Sequence, residues 1–237
     1  MNKTTLTRKL PALLLATAVG QLTFASAASA QGGLLGTGLF APPPAPAPQV
    51  AAASAAPTPL QIEQKLESLK YDVGPVDGNI DEAAGHAIMA FQKVNGLPRT
   101  GKLDDTVAAR IMATNDAPPV MVANGEPSRV EVSLARQVLF LYQDGSLQKI
   151  LSVSTGTSET PTPTGTFRMF RSESGWHTSR YGRLYNAQYF VGGYAIHGSL
   201  SVPAEPASHG CVRIPMHSAE WFPNSVPKGT QVVVLDG

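Results

Sequence analysis

The hydrophobic period of this chain changes once, near Arg129, and that change restricts it to two kinds of packing in succession. Before it, apolar residues recur at helical spacing from Leu60 onward. Ile62, Leu66 and Leu69 stand at i, i+4 and i+7, and Ala84, Ile88, Phe91 and Val94 share a second face. Val107 and Ile111 mark a third, shorter segment. Asp81 and Asp104 stand where N-caps would open the second and third helices, and Gly96 with Pro98 stops the second. The stretch YDVGPVDGNID, with its Asp77-Gly78 turn, separates the first two. Three short amphipathic helices over 60–113 form a small bundle with little core. The bundle has no histidine–carboxylate cluster and no cysteine, so binding suits it better than catalysis. A second linker, 114–128, follows.

From Arg129 the pattern is that of strands. RVEVSL and QVLFLY are rich in β-branched and aromatic residues, and Asp144-Gly145 is a hairpin signal ahead of LQKILSVST. PTPTGTF reads as a loop, YFVGGYAIHG as a strand region ending at His197, and MHSAEWF as one or two helical turns. GTQVVVLDG is a final strand. The expected fold is a small all-α three-helix domain followed by a mostly-β, sandwich-like domain over 129–237.

The first sixty residues carry an address rather than a fold. Lys3, Arg8 and Lys9 precede a short apolar run, Leu10 to Gly20, and small residues follow at 25–30. This is the pattern of a secretory signal peptide, residues 1–30, with Ala30 or Ala27 as the cleavage position. Over 41–59, 15 of 19 residues are Ala or Pro, so 31–59 is a semi-extended spacer that buries nothing. No later segment reaches the ~20 apolar residues of a membrane helix. The expectation is export to a periplasm or cell wall, with no stable membrane insertion once the signal is removed, and a monomer. A formal charge of +1 gives no basic excess for nucleic acid.

Export makes the single cysteine conspicuous. Cys211 lies in SHGCVRI, without a partner for a disulfide within the chain. Three uses compete. As a buried filler its neighbours are wrong, since Ser208, His209, Gly210 and Arg213 are polar or backbone-permissive. As a zinc ligand, with His197, His209 and His217, it lacks the usual tight pairs such as C-x-x-C. As a nucleophile it needs a base, and both His209 and His197 are candidates. Gly210 leaves room for substrate, and the N–H groups of Gly210 and Cys211 would face an oxyanion. Arg213 is either a carboxylate fork or a surface ion pair. His86, on the second helix, lacks a ligand at i+4. His177 and Arg180 read as solvated loop residues.

Two resemblances sharpen this reading. The segment LQIEQKLESLKYDVGPVDGNIDEAAGHAIMAFQKVNGLPRTGKLDDTVAARI resembles the three-helix peptidoglycan-binding domain. That resemblance implies contact with glycan strands and stem peptides. VEVSLARQVLFLYQDGSLQKILSVSTGTSETPTPTGTFRMF, YFVGGYAIHG, SHGCVRI and GTQVVVL together resemble the L,D-transpeptidase (YkuD-like) catalytic domain over 129–236. The implied activity is removal of the terminal D-amino acid from a peptidoglycan tetrapeptide stem, with transfer of the acyl group to an amine acceptor. Products would be 3-3 crosslinks, protein attachment or D-amino acid exchange, and carbapenems would acylate the thiol. Two alternatives remain: an L,D-carboxypeptidase-type hydrolase on the same site, and a catalytically silent wall-binding protein. Carried onto this sequence, Cys211 is the nucleophile and His197 the base, oriented by the Gly198 carbonyl. Ser208, His209 and Gly210 support the thiol and oxyanion, and Arg213 meets a substrate carboxylate. Neither metal nor cofactor is implied. Tyr185, Tyr189 and Tyr194 are all candidates for an assisting hydroxyl. Residues 170–188 match no motif and are expected to form a lid or groove wall.

Overall fold

The structure is a computed structural model describing residues 56–119, 121–123 and 125–237. The expected signal peptide and nearly all of the Ala/Pro-rich stretch lie outside the described residues.

Three helices open the described chain, α1 (Pro59–Ser68), α2 (Glu82–Val94) and α3 (Asp105–Ala113), each started by a side-chain cap. Thr58 and Gln61 form a reciprocal capping box with Pro59 at the first helical position. Asp81 accepts from the Ala84 N–H and Asp104 from the Val107 N–H. Glu63 breaks the apolar pattern of α1 by being fully buried. Its Oε2 accepts from the N–H groups of Asp77 and Gly78 at 3.0 and 2.6 Å, tying α1 to the turn that the sequence marked.

Strands follow in two sheets. The first contains β1 (Arg129–Ser133), β2 (Val138–Gln143), β3 (Ser146–Ser152), β4 (Gly165–Arg168) and β9 (Gln231–Leu235), in the order β3-β2-β1-β9-β4. The second contains β5 (Arg171–Ser179), β6 (Gly182–Val191), β7 (Tyr194–Gly198) and β8 (Val212–Ile214), in chain order. Helix α4 (Met216–Ser225) joins β8 to β9. The β2–β3 hairpin turns at Asp144 and Gly145, whose φ angles of 49° and 78° are those of a type I′ turn. The last strand is interior rather than at an edge: β9 pairs parallel with β1 and antiparallel with β4.

The strand β2, VLFLYQ, is apolar at five successive positions because both its faces are covered. Leu139 and Leu141 join Val130, Val132, Ile196 and Val212 in the core between the sheets. Val138, Phe140 and Tyr142 point the other way and join Ile62, Leu66, Ile88 and Phe91 of the helices. The helical region is therefore not the self-contained bundle its length suggested. The first sheet completes its core through Val138, Phe140, Tyr142 and Ile150. Polar ties fix the contact. The buried Lys93 Nζ donates to Gln137 O, Ser152 Oγ and Val153 O at 3.1, 2.8 and 2.9 Å. Asp72 accepts from Ser218 Oγ at 2.7 Å and Trp221 Nε1 at 3.2 Å, and pairs with Lys149 at 3.4 Å.

Two local expectations change. MHSAEWF lies within a ten-residue helix rather than one or two turns. Burial of Ala219 and Phe222 against the inter-sheet core extends it beyond what the local pattern showed. Residues 170–188, expected to form a lid or groove wall, make up most of the β5–β6 hairpin. Their period-2 pattern is weak because no residue of β5 is buried on either face. His177 accordingly lies on β5 and Arg180 at the turn.

Because one core spans helices and sheet, Phe140→Ala should cost ~3–5 kcal/mol and the described region should unfold in a single urea transition. Separate helical and β transitions would refute this. Lys93 adds a pH dependence. Burial, reinforced by the nearby Arg99, pulls its ammonium down to about 7, whereas an unfolded lysine stays charged to about pH 10.4. Between those limits unfolding takes up a proton, so native stability rises with pH. The stability of the wild type relative to Lys93→Met should therefore increase from about pH 7 to about pH 9.5, measured by urea denaturation. A constant difference would count against the depressed ammonium.

Candidate active site

The site arises from the parallel pairing of β7 and β8. Parallel neighbours need a crossover, and residues 199–211 supply it, ending in SHGC. The register sets Ile196 beside Val212, His197 beside Arg213 and Gly198 beside Ile214. Strand alternation sends Ile196, Val212 and Ile214 into the inter-sheet core and turns His197 and Arg213 to the opposite face. Cys211, one residue before β8, packs on that outer face against Leu184, Ala187, Tyr189 and Ala195. Residues 14 apart in sequence thus share the floor of one cleft of about 770 Å³. The β5–β6 hairpin, with Trp176, Tyr181 and Arg183, makes one wall, and the crossover with Leu200 contributes another.

The turn before the thiol is held from three sides. Ser208, buried, donates through Oγ to Cys211 O at 2.5 Å and accepts from the Gly210 N–H at 3.0 Å. Its own N–H donates to Thr155 O at 3.0 Å, and its carbonyl accepts from Thr157 N and Thr160 Oγ1, both at 3.1 Å. Gly210 has φ +109°, and a Cβ there would lie 2.3 Å from Tyr194 Cε1. A Cβ on Gly156 would lie 2.8 Å from Gly210 Cα, so the threonine-rich loop touches the turn backbone to backbone. The sequence offered only a generic Pro/Gly/Thr signal for this buttress.

His197 is 5% exposed. Its Nδ1 lies 2.9 Å from Gly198 O, a contact that requires the proton on Nδ1 and leaves Nε2 as an acceptor. Burial pulls the imidazole down to about 4, against the opposing pull of that carbonyl, and Arg213 lowers it further. Burial pushes the Cys211 thiol up, against a backbone hydrogen bond from Ala195 and the charge of Arg213. At neutral pH the pair is a neutral imidazole and a neutral thiol.

Other expected residues fall differently. His209 is exposed and stacks on Tyr181 at 4.9 Å and 19°, joining the turn to the hairpin tip. The Gly210 N–H, expected at an oxyanion, is engaged by Ser208. Two of the three tyrosines are occupied: Tyr185 donates to Glu220 at 2.9 Å and Tyr189 to Glu173 at 3.0 Å. Tyr194 lines the cleft over Gly210, and among the described residues its hydroxyl has no partner. His86 sits away from the cleft, its ring 6.5 Å from that of His217. Trp176, Tyr181, Arg183 and Leu200 had no distinguishing signal in the sequence, since nothing local says that their hairpin and loop fold over the thiol.

Comparison with known proteins accords with this geometry. Residues 127–234 match the profile of the L,D-transpeptidase catalytic domain, and residues 57–111 that of a peptidoglycan binding domain. A search of curated proteins found no match. Among solved structures, an L,D-transpeptidase from Xylanimonas cellulosilytica is similar at 34% identity and a TM-score of 0.69, over 75% of this chain and 93% of that one. An L,D-transpeptidase from Stackebrandtia nassauensis is 27% identical, with a TM-score of 0.48 over 77% of this chain and 93% of that one. With its two-sheet domain, its cleft and this likeness, the chain belongs to the L,D-transpeptidase family.

Proposed function

We propose that the protein is an exported, cysteine-dependent L,D-transpeptidase acting on peptidoglycan stem peptides. The observation that supports this most is the shared placement of Cys211 and His197 on the outer face of β7–β8, on the floor of the cleft. Family membership supplies the reaction class, and the geometry suits its steps.

In this reading His197 carries its proton on Nδ1 and offers Nε2 as the base. Sγ attacks the carbonyl on the L-centre of the diaminopimelate residue while the thiol proton passes to Nε2. The carbonyl oxygen takes up the negative charge. Collapse breaks the amide bond to the terminal D-amino acid, whose nitrogen takes the proton back from His197, and a thioester remains. An amine acceptor then attacks that thioester and yields its proton to Nε2. The departing sulfur recovers the proton and the cycle closes. Water in place of the amine would release a tripeptide instead.

With the Gly210 N–H engaged, oxyanion stabilisation falls to the Cys211 N–H and the Tyr194 hydroxyl. Ser208 holds the turn and Gly198 the base, while His209 acts through its stack on Tyr181. Arg213, beside His197 in the register, meets a substrate carboxylate. The helices over 60–113 contact wall polymer, the leader over 1–30 directs export to a periplasm or cell wall, and the enzyme works as a monomer without metal or cofactor. No described helix is long and apolar enough to cross a membrane.

Intact-mass measurement of the acyl-enzyme formed from a tetrapeptide donor tests the roles. Cys211→Ala should form none. His197→Ala should slow acylation ~10²–10⁴-fold and His209→Ala by far less, while Tyr194→Phe should lose ~10²-fold or less. A Cys211→Ala protein that still transferred the stem would end the proposal. Tripeptide product without dimer or adduct, in the presence of an amine, would favour the hydrolase. The protonation state has its own test. Alkylation of Cys211 by iodoacetamide should rise with pH and reach its midpoint above about 8.5, the ordinary thiol value. A fast plateau already present below about pH 7 would mean a thiolate–imidazolium pair.

A further inference from the structure

We propose that the cleft selects a donor bearing at least two free carboxylates, one read by Arg213 beside the thiol and another by Arg180 and Arg183 on the β5–β6 hairpin. This deepens the transpeptidase reading and rests on it for the position of the reacting carbonyl.

The arginines of the described chain fall into groups by whether they have a carboxylate. Arg99, Arg129 and Arg171 pair with Glu205, Glu131 and Glu173 at 3.3, 2.6 and 2.9 Å, and Arg168 pairs with Glu126. Arg110, Arg136, Arg180, Arg183 and Arg213 have no ion pair among the described residues, and the last three line the cleft. Glu159 is the one carboxylate lining it there. The cleft therefore holds an excess of positive charge that the fold itself does not neutralise.

Arg213 is the most exacting of these three. It is half-buried, its backbone bonds Ser154, and its guanidinium makes no hydrogen bond among the described residues. A partly desolvated guanidinium without a counter-charge is unfavourable until something supplies an anion. The two hairpin arginines are prepared in another way. The Arg183 guanidinium lies 4.2 Å from the Trp176 ring centroid, and that of Arg180 lies 4.7 Å from the Tyr181 centroid. Each cation–π contact restrains its guanidinium against a ring, so the fork meets a carboxylate with less ordering to do. Tyr181 in turn stacks on His209, which couples the hairpin tip to the turn carrying the thiol. The cleft thus has one cationic pole at the reacting centre and a second on the hairpin wall. A ligand seated on the thiol and lying along the hairpin satisfies both only if it carries a carboxylate at each.

The consequence is discrimination against amidation. Replacing a carboxylate by a carboxamide preserves shape but removes the charge and two acceptor lone pairs. The expected result is about 10-fold or greater weakening per site, the range of a charge-assisted hydrogen bond.

Equilibrium binding to the full-length Cys211→Ala protein tests this without turnover, using two synthetic tetrapeptide stems that differ only in free or amidated carboxyl groups. The free acid should bind at least about 10-fold more tightly, and added salt should erode the difference. Introducing Arg180→Gln and Arg183→Gln together should remove the hairpin's share of the preference, about 10-fold or more, and leave the share of Arg213. In the chain that retains Cys211, the same two substitutions should raise KM for the free acid with little change in kcat, and iodoacetamide alkylation should stay at the wild-type rate. Equal binding of the two stems, or a preference undiminished by the double substitution, overturns the proposal whether or not the enzyme turns over. Preferential binding without any acyl transfer by the wild type would instead leave the selectivity standing and remove the transpeptidase reading.

Discussion

Burial of β2 on both faces is the constraint on which the rest of the structure depends. Five consecutive apolar residues can be satisfied only if one layer covers Val138, Phe140 and Tyr142 and another covers Leu139 and Leu141. The second sheet is one cover and the helices are the other. Each cover alone is thin, and the first sheet is what both close against. The helices are consequently part of the same packed body as the strands. Interior Lys93 and Asp72 reinforce this, because a buried polar group with several well-placed partners disfavours any sliding of the layers that would strand it.

That arrangement reaches the cleft through backbone. Lys93 bonds the carbonyls of Gln137 and Val153, and the Gln137 side chain bonds Thr155 through both its amide atoms. Thr155 O accepts from Ala207 and Ser208 at the foot of the thiol's turn. A contiguous set of hydrogen bonds therefore runs from α2 to Ser208. It gives the helices a physical link to the turn.

The electrostatics of the cleft follow from depth. Burial disfavours both imidazolium and thiolate, leaving the pair neutral, and Arg213 opposes only the first of these charges. A cation placed there suits a reaction that creates negative charge at sulfur and oxygen. The same cation, with those of the hairpin, suits anionic ligands.

Much of this was legible residue by residue. The change of period at Arg129, the caps at Asp81 and Asp104, the Asp144-Gly145 turn and the strand-like tail are local signals, and the local geometry follows them. The SHGC turn, with its glycine at positive φ and its serine bonding back to the chain, is likewise written in adjacent residues. What adjacent residues could not say is which side chains meet across the fold. The nearer histidine, His209, turns outward to stack on Tyr181. The more distant His197 shares the floor with Cys211 because parallel pairing of β7 with β8 sets the register. Tyr194 stands apart from Tyr185 and Tyr189 only once Glu220 and Glu173 are seen to occupy the other two hydroxyls. Local periodicity determined the elements and the turn that carries the thiol. Long-range pairing and burial, which depend on contacts between residues far apart in the chain, decided the company that thiol keeps.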